Sequence, residues 1–326
     1  MMLPPGPLPL RPCCLTKVWA APELPPPYGA LTGCGAKTGE VWLISDRHHI
    51  TPVAAGTLAG LGLDEVVARW PEWVLGPGRT GGLPILTKLL NVGDWLSVQV
   101  HPDDADARRL EGEPWGKSEC WAVLAALPGA EIVLGLQPGA DRAAVAAALA
   151  AGRLGEVLAR VPARAGDTFH LPAGVVHATG PGLFIFELQQ ASDVTYRFYD
   201  WDRPGDDGKL RPLHQDQALA VMHADGPGEP AAPRAIPDPA GRVELLAEDP
   251  HFALLRAEVI SAYRPGFGGQ RLRGLFVTAG QGFIAAEGHA PQAIAAGQSW
   301  LIPAGLTGVE IAPAPGHSLS LIESLA

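Results

Sequence analysis

Two histidines, a glutamate and a glutamine in this chain have the types and order of a metal-binding site. His101 stands two residues after Gln99 and eighteen before Glu119, and His177 follows further along the chain. Imidazole nitrogens together with carboxylate and amide oxygens suit a divalent ion such as zinc. Structural zinc sites are more often closed by four thiolates or imidazoles, whereas catalytic sites keep one position open. These four residues therefore predict a metal enzyme, provided that the fold brings them together.

A β-strand positions the first two of these residues. The run Trp95–Val100 is strand-like, and Pro102 ends it directly after His101. Side chains two apart in a strand point to the same face, so Gln99 and His101 can serve one site, and Ser97 shares their face. Inward positions of several strands meet near the mouth of a small barrel, which would add ligands from later strands.

The rest of the chain has the pattern of many short strands with a few helices. Its 40 glycines and 33 prolines are spread over 326 residues, which favours strands joined by turns over disorder. The predicted strands are Glu40–Ser45, Trp95–Val100, Cys120–Ala125, Ile132–Leu136, Thr168–Leu171, Leu183–Leu188, Val194–Tyr199, Val243–Ala247, Phe252–Val259, Leu275–Ala279, Gly282–Ala286, Ser299–Ile302 and Ser318–Ile322. The predicted helices are Leu63–Trp70, Asp103–Leu110, Asp141–Ala151 and Leu154–Val161, of which the second and third begin at a capping aspartate.

An internal repeat predicts two β-barrels. The segment 165–174 matches the segment 296–305 at an offset of 131 residues, with the same Gly and Pro-Ala-Gly positions. Two copies of one barrel unit explain this match, and the alternative is ordinary turn chemistry that arose twice. Three residues past the repeat, the first copy has His177 and the second has Gly308, so we expect one metal site, in the first barrel.

A proline-rich segment marks the predicted domain boundary. Residues 226–241 contain five prolines and show no strand pattern. We therefore expect a catalytic, metal-binding barrel with a helical insertion over residues 1–225. A second, degenerate barrel without a metal site would occupy residues 226–326.

The charge of the chain limits its partners. The formal net charge is −10, and no run of Lys and Arg forms a basic patch, which argues against a nucleic-acid partner. A phosphorylated small molecule is still compatible, because a few local cations can bind it inside an acidic protein. The sequence does not indicate an oligomeric state.

The cysteines and the hydropathy predict a cytoplasmic protein. Cys13, Cys14, Cys34 and Cys120 show neither a CxxC pair nor a disulfide framework, so we expect free thiols in a reducing compartment. The segment Leu3–Pro12 is too rich in proline for the apolar region of a signal peptide. No segment approaches the roughly 20 apolar residues that cross a bilayer, so we expect no membrane partner.

Eight stretches between about residue 17 and residue 203 form an ordered set of motifs. They are Lys17–Trp19, Gly39–Ser45, Leu86–Leu90, Trp95–Asp104, Gly116–Trp121, Pro172–Ala178, Glu187–Gln190 and Ser192–Arg197. Together they resemble type I mannose-6-phosphate isomerase in its shorter bacterial form. The chain departs from that family at Trp19-Ala20-Ala21, where Trp-Gly-Gly is frequent, and its last hundred or so residues match no motif.

The resemblance implies a fold and a cofactor. The family is a zinc-dependent cupin, so the expected fold is mainly β, with two cupin-type, jelly-roll-like barrels and a few helical insertions. One zinc ion per chain is implied, although other divalent metals suit the same nitrogen and oxygen ligands. The implied ligands are Gln99, His101, Glu119 and His177, and Arg197 is implied to lie in the active site.

The implied reaction interconverts mannose 6-phosphate and fructose 6-phosphate. It moves hydrogen between C1 and C2, so it needs a base and stabilisation of an enediolate. Glu187 is the candidate base, and the alternative is a carboxylate that pairs with Arg197 or Lys117 and only holds the pocket. Glu187 and Arg197 are ten residues apart and would face the same way in an unbroken strand, and Lys117 would share the face of Glu119 in an extended segment.

The substrate phosphate needs cations and hydrogen-bond donors at the far end of the pocket. The candidates are Lys88, Ser97, Lys117 and Arg197. Lys88 could instead be a solvated lysine at a strand end, and Ser97 a small core residue. We expect His170 to be a core residue or a neighbour of the ligands.

Two other functions stay open at this point. One is an isomerase of another sugar or sugar phosphate, because residues at the rim decide specificity. The other is a non-catalytic, metal-binding or sugar-binding cupin. The presence of Arg197 and Lys117 beside all four ligand residues argues against a binding protein.

Overall fold

The computed structural model of the chain describes residues 4–31, 33–205 and 207–326. Leu3, at the start of the proline-rich segment, lies outside the described residues. The described strands are β1 Leu8–Leu10, β2 Cys13–Thr16, β3 Thr38–Ile44, β4 Ile85–Val92, β5 Val98–Val100, β6 Glu119–Ala126, β7 Glu131–Leu136, β8 Leu158–Pro162, β9 Thr168–Leu171, β10 His177–Thr179, β11 Leu183–Gln190, β12 Tyr196–Tyr199, β13 Arg234–Asp238, β14 Gly241–Glu248, β15 Ala253–Val259, β16 Arg273–Ala286, β17 His289–Ala295, β18 Ser299–Ile302, β19 Glu310–Pro313 and β20 Leu319–Leu325. The helices are α1 Leu63–Arg69, α2 Pro71–Leu75, α3 Asp104–Glu111, α4 Arg142–Ala150 and α5 Gln215–Val221, with short 3-10 helices at Tyr28–Ala30 and Leu154–Glu156.

These strands form three antiparallel sheets. A six-stranded sheet has the order β2-β3-β4-β11-β6-β9, and a five-stranded sheet has the order β12-β5-β10-β7-β8. Buried side chains from both of these sheets pack in one core cluster, which includes Trp121 and Ile132. The remaining sheet has nine strands and holds β1 together with β13 to β20. This architecture confirms the predicted mainly β fold of two cupin-type barrels with a few helical insertions.

Two helices begin at the predicted capping residues. The Asp103 side chain accepts a hydrogen bond from the Asp106 backbone N–H at 2.8 Å, and Asp141 caps α4 in the same way. Gly112 ends α3 in the left-handed conformation, with a φ of 71°. A side chain at that φ would be strained, which is why a glycine suits the end of this helix.

One predicted helix is wrong. The segment Leu154–Val161 forms a single 3-10 turn and then enters β8, which pairs antiparallel with β7. Val161 lies opposite Ile132 in that pairing. The β-branched residues of this segment suit a strand, and a free sheet edge satisfies the backbone better than an isolated helical turn.

The proline-rich segment contains a strand that the sequence pattern did not indicate. β13 lies within it and pairs with β14, with Pro237 opposite Arg242. β13 is the last strand in the order of its sheet, and proline is tolerated at such an edge because the missing N–H faces away from the ladder. The division of the chain into 1–225 and 226–326 stays a proposal.

The first described strand joins the opposite end of the chain. β1 pairs with β18, so that Leu8 lies opposite Leu301. The largest core cluster also mixes residues from both parts, and the rings of Phe186 and Phe276 lie 5.8 Å apart, centroid to centroid. The two barrels therefore share an apolar interface.

The sequence repeat corresponds to equivalent strands. β9 and β18 begin and end 131 residues apart, as their sequences predict. β9 pairs with β6, with Glu119 opposite Leu171, and β18 pairs with β16, with Arg273 opposite Ile302. Arg273 therefore occupies the position in the second barrel that Glu119 occupies in the first.

The expectation of four free thiols is wrong for two cysteines. Cys14 and Cys34 form a disulfide, with their Cα atoms 5.2 Å apart, whereas Cys13 and Cys120 are free. Their separation of 20 residues is bridged because β2 and the following loop fold together, which cysteine spacing alone does not reveal. The cytoplasmic location thus stays a prediction, and it loses the support of free thiols.

No described helix has the length and apolarity of a membrane-spanning segment, since even α4 contains only nine residues.

Candidate metal centre

Three of the predicted ligand residues meet in one buried cluster. His101, Glu119 and His177 each offer an atom that lies within 4.8 Å of the other two. His101 Nε2 is 3.3 Å from Glu119 Oε1, and His177 Nε2 is 3.7 Å from Glu119 Oε2. Two imidazole nitrogens and a carboxylate converging at this distance have the composition of a divalent metal site.

Both sheets of the first barrel contribute to the cluster. His101 follows β5, and His177 begins β10, where it lies opposite Gln99 of β5. Glu119 begins β6 in the other sheet, beside β9. The cluster therefore lies between two sheets, and the strand-face argument from Gln99 and His101 is consistent with its geometry.

Backbone carbonyls orient both imidazoles. His101 Nδ1 donates to the Val194 carbonyl at 2.8 Å, and His177 Nδ1 donates to the Val175 carbonyl at 2.9 Å. This leaves the Nε2 atom of each ring without a proton and directed at Glu119. Hydrogen bonds of this kind fix the tautomer of histidines that bind metals.

The polar atoms at the centre of the cluster lack partners. Among the described residues, nothing forms a hydrogen bond of good geometry with His101 Nε2 or with either carboxylate oxygen of Glu119, and all three atoms are buried. Lys117 Nζ does lie 3.1 Å from Glu119 Oε1 as an ion pair. Buried acceptors without hydrogen bonds are costly, and a divalent cation would satisfy them. The donor set therefore fits a metal ion.

Burial and charge give the three residues the protonation states of metal ligands. Burial lowers the pKa of His101 to about 3, with a further contribution from the Lys117 ammonium. Burial likewise lowers the pKa of His177. Burial would raise the pKa of Glu119, but the positive charge of Lys117 opposes this effect, and the pKa lies well below its ordinary value. Neutral imidazoles and an ionised carboxylate are the forms that bind metal.

The fourth predicted ligand, Gln99, lies beside the cluster. Its amide nitrogen is 3.2 Å from His177 Nε2, and its amide oxygen accepts a hydrogen bond from the Ser97 hydroxyl at 3.1 Å. In this orientation the nitrogen of the amide, not its oxygen, faces the histidines.

A polar cavity of about 160 Å³ opens next to the cluster. Six of the nine predicted site residues line it, and the other three form the metal cluster. The six are Lys88, Ser97, Gln99, Lys117, Glu187 and Arg197. Further lining residues are Lys17, Trp19, Glu40, Trp42, His49, Leu90, Leu96, Trp121, Asp193, Thr195 and Arg211.

Glu187 has partners other than those the sequence suggested. Lys88 Nζ lies 2.8 Å from Glu187 Oε2, and Trp121 Nε1 donates to Glu187 Oε1 at 2.9 Å. The partner is thus Lys88, not Arg197 or Lys117. Lys88 is buried in β4, which contradicts a solvated strand end, and burial lowers its pKa.

Glu187 and Arg197 do not lie on one unbroken strand, as their spacing of ten residues had suggested. Glu187 lies in β11 and Arg197 in β12, with residues 191–195 between the strands, so no unbroken strand joins them. Both side chains nevertheless reach the cavity. Lys117 lies before β6, where its backbone N–H donates to the Pro102 carbonyl at 3.0 Å.

His170 lies away from the metal cluster. Its Nε2 atom forms a hydrogen bond of 2.9 Å with the Asp249 carboxylate, which stands between β14 and β15. His170 thus connects the first barrel to the second and is not a neighbour of the ligands.

Several lining residues were not predicted as site residues. Lys17, Glu40 and Trp42 belong to motifs that carry the family resemblance, so that signal could have identified them. Asp193 belongs to such a motif as well, whereas Arg211 had no such signal, because only the folding of its loop brings it to the cavity.

Comparisons with known proteins agree with this geometry. Residues 33–114 match the family model described as phosphomannose isomerase type I, catalytic domain. A mannose-6-phosphate isomerase of Streptococcus mutans is 38% identical over 244 residues, which span 74% of this chain and 76% of that protein. A probable mannose-6-phosphate isomerase of Bacillus subtilis is 37% identical over 217 residues, 66% of this chain and 68% of that protein.

Solved structures share the whole fold. The crystal structure of the mannose 6-phosphate isomerase from Bacillus subtilis matches with a TM-score of 0.87 and 26% identity, over 98% of this chain and 99% of that one. A zinc-bound mannose 6-phosphate isomerase matches with a TM-score of 0.73 at 14% identity, over 98% and 99% of the two chains, and shares the fold. The identity to curated relatives and the match over nearly the full length show that this chain belongs to the type I mannose-6-phosphate isomerase family.

Proposed function

We propose that this protein is a zinc-dependent aldose–ketose isomerase that interconverts mannose 6-phosphate and fructose 6-phosphate. The observation that carries the proposal is the buried cluster of His101, Glu119 and His177 beside a polar cavity. A carboxylate and several cations line that cavity, as proton transfer on a phosphorylated sugar requires. Family membership agrees with this chemistry.

His101, Glu119 and His177 would hold the zinc, and Gln99 would complete the ligand set. A rotation of the Gln99 amide by about 180° directs its oxygen at the cluster and lets its nitrogen donate to Ser97. Ser97 would then act by orienting Gln99. When bound, zinc supplies Lewis-acid polarisation of the oxygens on C1 and C2 of the open-chain sugar.

Glu187 is our candidate for the base that moves the proton between C1 and C2. It lines the cavity and pairs with Lys88, while Trp121 fixes one of its oxygens. Positioning by two partners suits a base, which must lie within hydrogen-bond reach of the carbon-bound proton. The alternative is that the pair of Glu187 and Lys88 only holds the cavity wall.

The cations have different positions in the cavity. Lys117 lies next to the metal cluster and Lys88 next to Glu187, so both would act near the reacting carbons. Arg197 forms no ion pair of this kind among the described residues, and it would orient the sugar phosphate and stabilise its negative charge. Of the four candidates for the phosphate, this arrangement favours Arg197.

The decisive experiment is an isomerase assay on mannose 6-phosphate with chelated and zinc-reloaded protein side by side. We expect activity to disappear on chelation and to return with zinc. Turnover that survives full chelation would contradict the metal role. Absence of turnover in both samples would redirect the assay to other sugar phosphates, and then to the binding-protein alternative.

A further inference from the structure

Two guanidinium groups share the wall of the cavity. Arg197 projects from β12, and Arg211 comes from the loop between β12 and α5. Nothing in the sequence pattern singled out Arg211. The loop and the strand end thus bring a second arginine to the site.

A buried carboxylate holds Arg211 in place. Asp200, which is 5% exposed, accepts hydrogen bonds from Nε and Nη2 of Arg211, each at 2.5 Å. The same carboxylate accepts a hydrogen bond of 3.2 Å from Arg203 Nη2. These bonds use one edge of the Arg211 guanidinium and leave its Nη1 group for another acceptor.

Arg197 has a buried donor without a partner. Its Nε atom is buried and forms no hydrogen bond within the described parts of the chain. Burial lowers the pKa of Arg197, and the positive charge of Arg211 lowers it further. Asp200, which follows β12 directly, already pairs with both Arg211 and Arg203. A bound anion would therefore relieve the repulsion between Arg197 and Arg211.

We propose that Arg211, held by Asp200, binds the phosphate group of the sugar phosphate together with Arg197. This inference rests on the proposed function. A phosphate dianion offers three oxygens to planar, paired N–H donors, and arginine matches that geometry better than lysine. Asp200 acts as a positioning residue, because it fixes the plane of the guanidinium before the substrate arrives.

The test compares Arg211→Gln with Lys209→Gln, which removes an equal charge from an exposed position of the same loop. For Arg211→Gln we expect KM for mannose 6-phosphate to rise by about 10- to 100-fold, with kcat within about threefold of the parent value. The inhibition constant of inorganic phosphate should rise in proportion. Lys209→Gln should change neither constant, and bound zinc should be equal in all three proteins.

Each result bears on one proposal. If the parent protein turns over mannose 6-phosphate and Arg211→Gln keeps its KM and its phosphate inhibition, the role of Arg211 is overturned. A fall of kcat alone would also overturn it, since phosphate binding acts on KM. A parent protein without turnover contradicts the proposed function instead. If Arg211→Gln does not fold, Arg211→Lys retains a cation near Asp200 and should raise KM several-fold; an unchanged KM would overturn the proposal.

Discussion

The two barrels have side chains of opposite charge at equivalent positions. Glu119 of the first barrel lies opposite Leu171, and Arg273 of the second lies opposite Ile302, its repeat counterpart. Glu187 pairs with the residue two positions after Glu119, and Glu323 pairs with the residue two positions after Arg273. A carboxylate of the candidate metal site in one barrel is thus replaced by a cation in the other.

The second barrel satisfies the buried Glu323 carboxylate with its own groups. The Tyr263 hydroxyl donates to Glu323 Oε1 at 2.6 Å, and Arg273 Nη1 donates to Glu323 Oε2 at 3.2 Å. Arg273 Nη2 donates to the Phe267 carbonyl at 2.6 Å. In the first barrel the oxygens of Glu119 lack such bonds. From this comparison we propose that the barrel with the open polar centre is the functional one, and that the closed centre of the other barrel is structural.

The largest expected effect comes from opening the metal cluster. His101→Ala removes a ligand, so bound zinc should fall and kcat/KM should drop by more than about 1000-fold, equivalent to several kcal/mol. Metal analysis and the isomerase assay on the same sample measure both. The matched control is His317→Ala, an exposed histidine outside the cluster. Full activity in metal-free His101→Ala would remove the cluster from the mechanism.

The equivalent change in the second barrel should affect stability instead. Arg273→Met leaves Glu323 as a buried, unpaired charge, so we expect a loss of about 3–5 kcal/mol in the free energy of unfolding. Denaturant unfolding measures this loss, and activity per folded molecule should stay constant. The control is Arg264→Met. Arg264 forms an ion pair with Glu310, and its side chain is 81% exposed. That exposed pair should contribute less than about 1 kcal/mol. Loss of turnover without loss of stability in Arg273→Met would contradict a purely structural role for Arg273.

Loss of Arg197, a cation of the cavity, should lower activity and leave stability constant. Arg197→Ala should lower kcat/KM by about 100-fold, because a cation that binds the substrate phosphate is lost, while zinc stays bound. Steady-state kinetics and metal content, measured together, test this expectation. Unchanged kinetics would place Arg197 outside the mechanism, and loss of zinc would mean that it supports the metal site.

The smallest effect concerns the contact between the barrels. Burial would raise the pKa of Asp249, but hydrogen bonds from His170 and the His251 backbone outweigh it and hold the pKa below its ordinary value. Stability from this carboxylate is therefore complete above the ordinary pKa of about 4 and disappears as the pH falls through the lower, folded-state pKa. Asp249→Asn should cost about 1 kcal/mol at pH 7 and progressively less in acid. Urea unfolding of both proteins from pH 7 to pH 3 measures the difference, and a constant difference would contradict a role for the charge.

Local patterns predicted much of the fold and the centre of the site. β9 and β18 match their predicted ranges because a short apolar run ends at a Pro-Ala-Gly turn in both copies. The convergence of His101 and Glu119 with His177 follows from strand periodicity together with the family motifs. Strand periodicity and the family motifs both depend on residues that are close in sequence, so they can be recognised without a structure.

Features that depend on tertiary contacts were missed. β8 was predicted as a helix because its pairing with β7 is not visible in its own residues. Arg211 reaches the cavity only through its bond to Asp200, and Cys14 meets Cys34 only after the intervening loop folds back. The pairing of Glu187 with Lys88 joins two strands that are almost 100 residues apart in sequence.

The pairing of β1 with β18 also affects the order of events during synthesis. Leu8 leaves the ribosome roughly 290 residues before its partner Leu301. At about 5–20 residues per second, the first strand waits roughly 15 to 60 s for its place in the sheet. A nascent chain that stops before β18 leaves Leu8 and Leu10 unpaired, and such an apolar strand is a substrate for chaperones and proteases. β1 can therefore join its sheet only after β18 of the second barrel has been made.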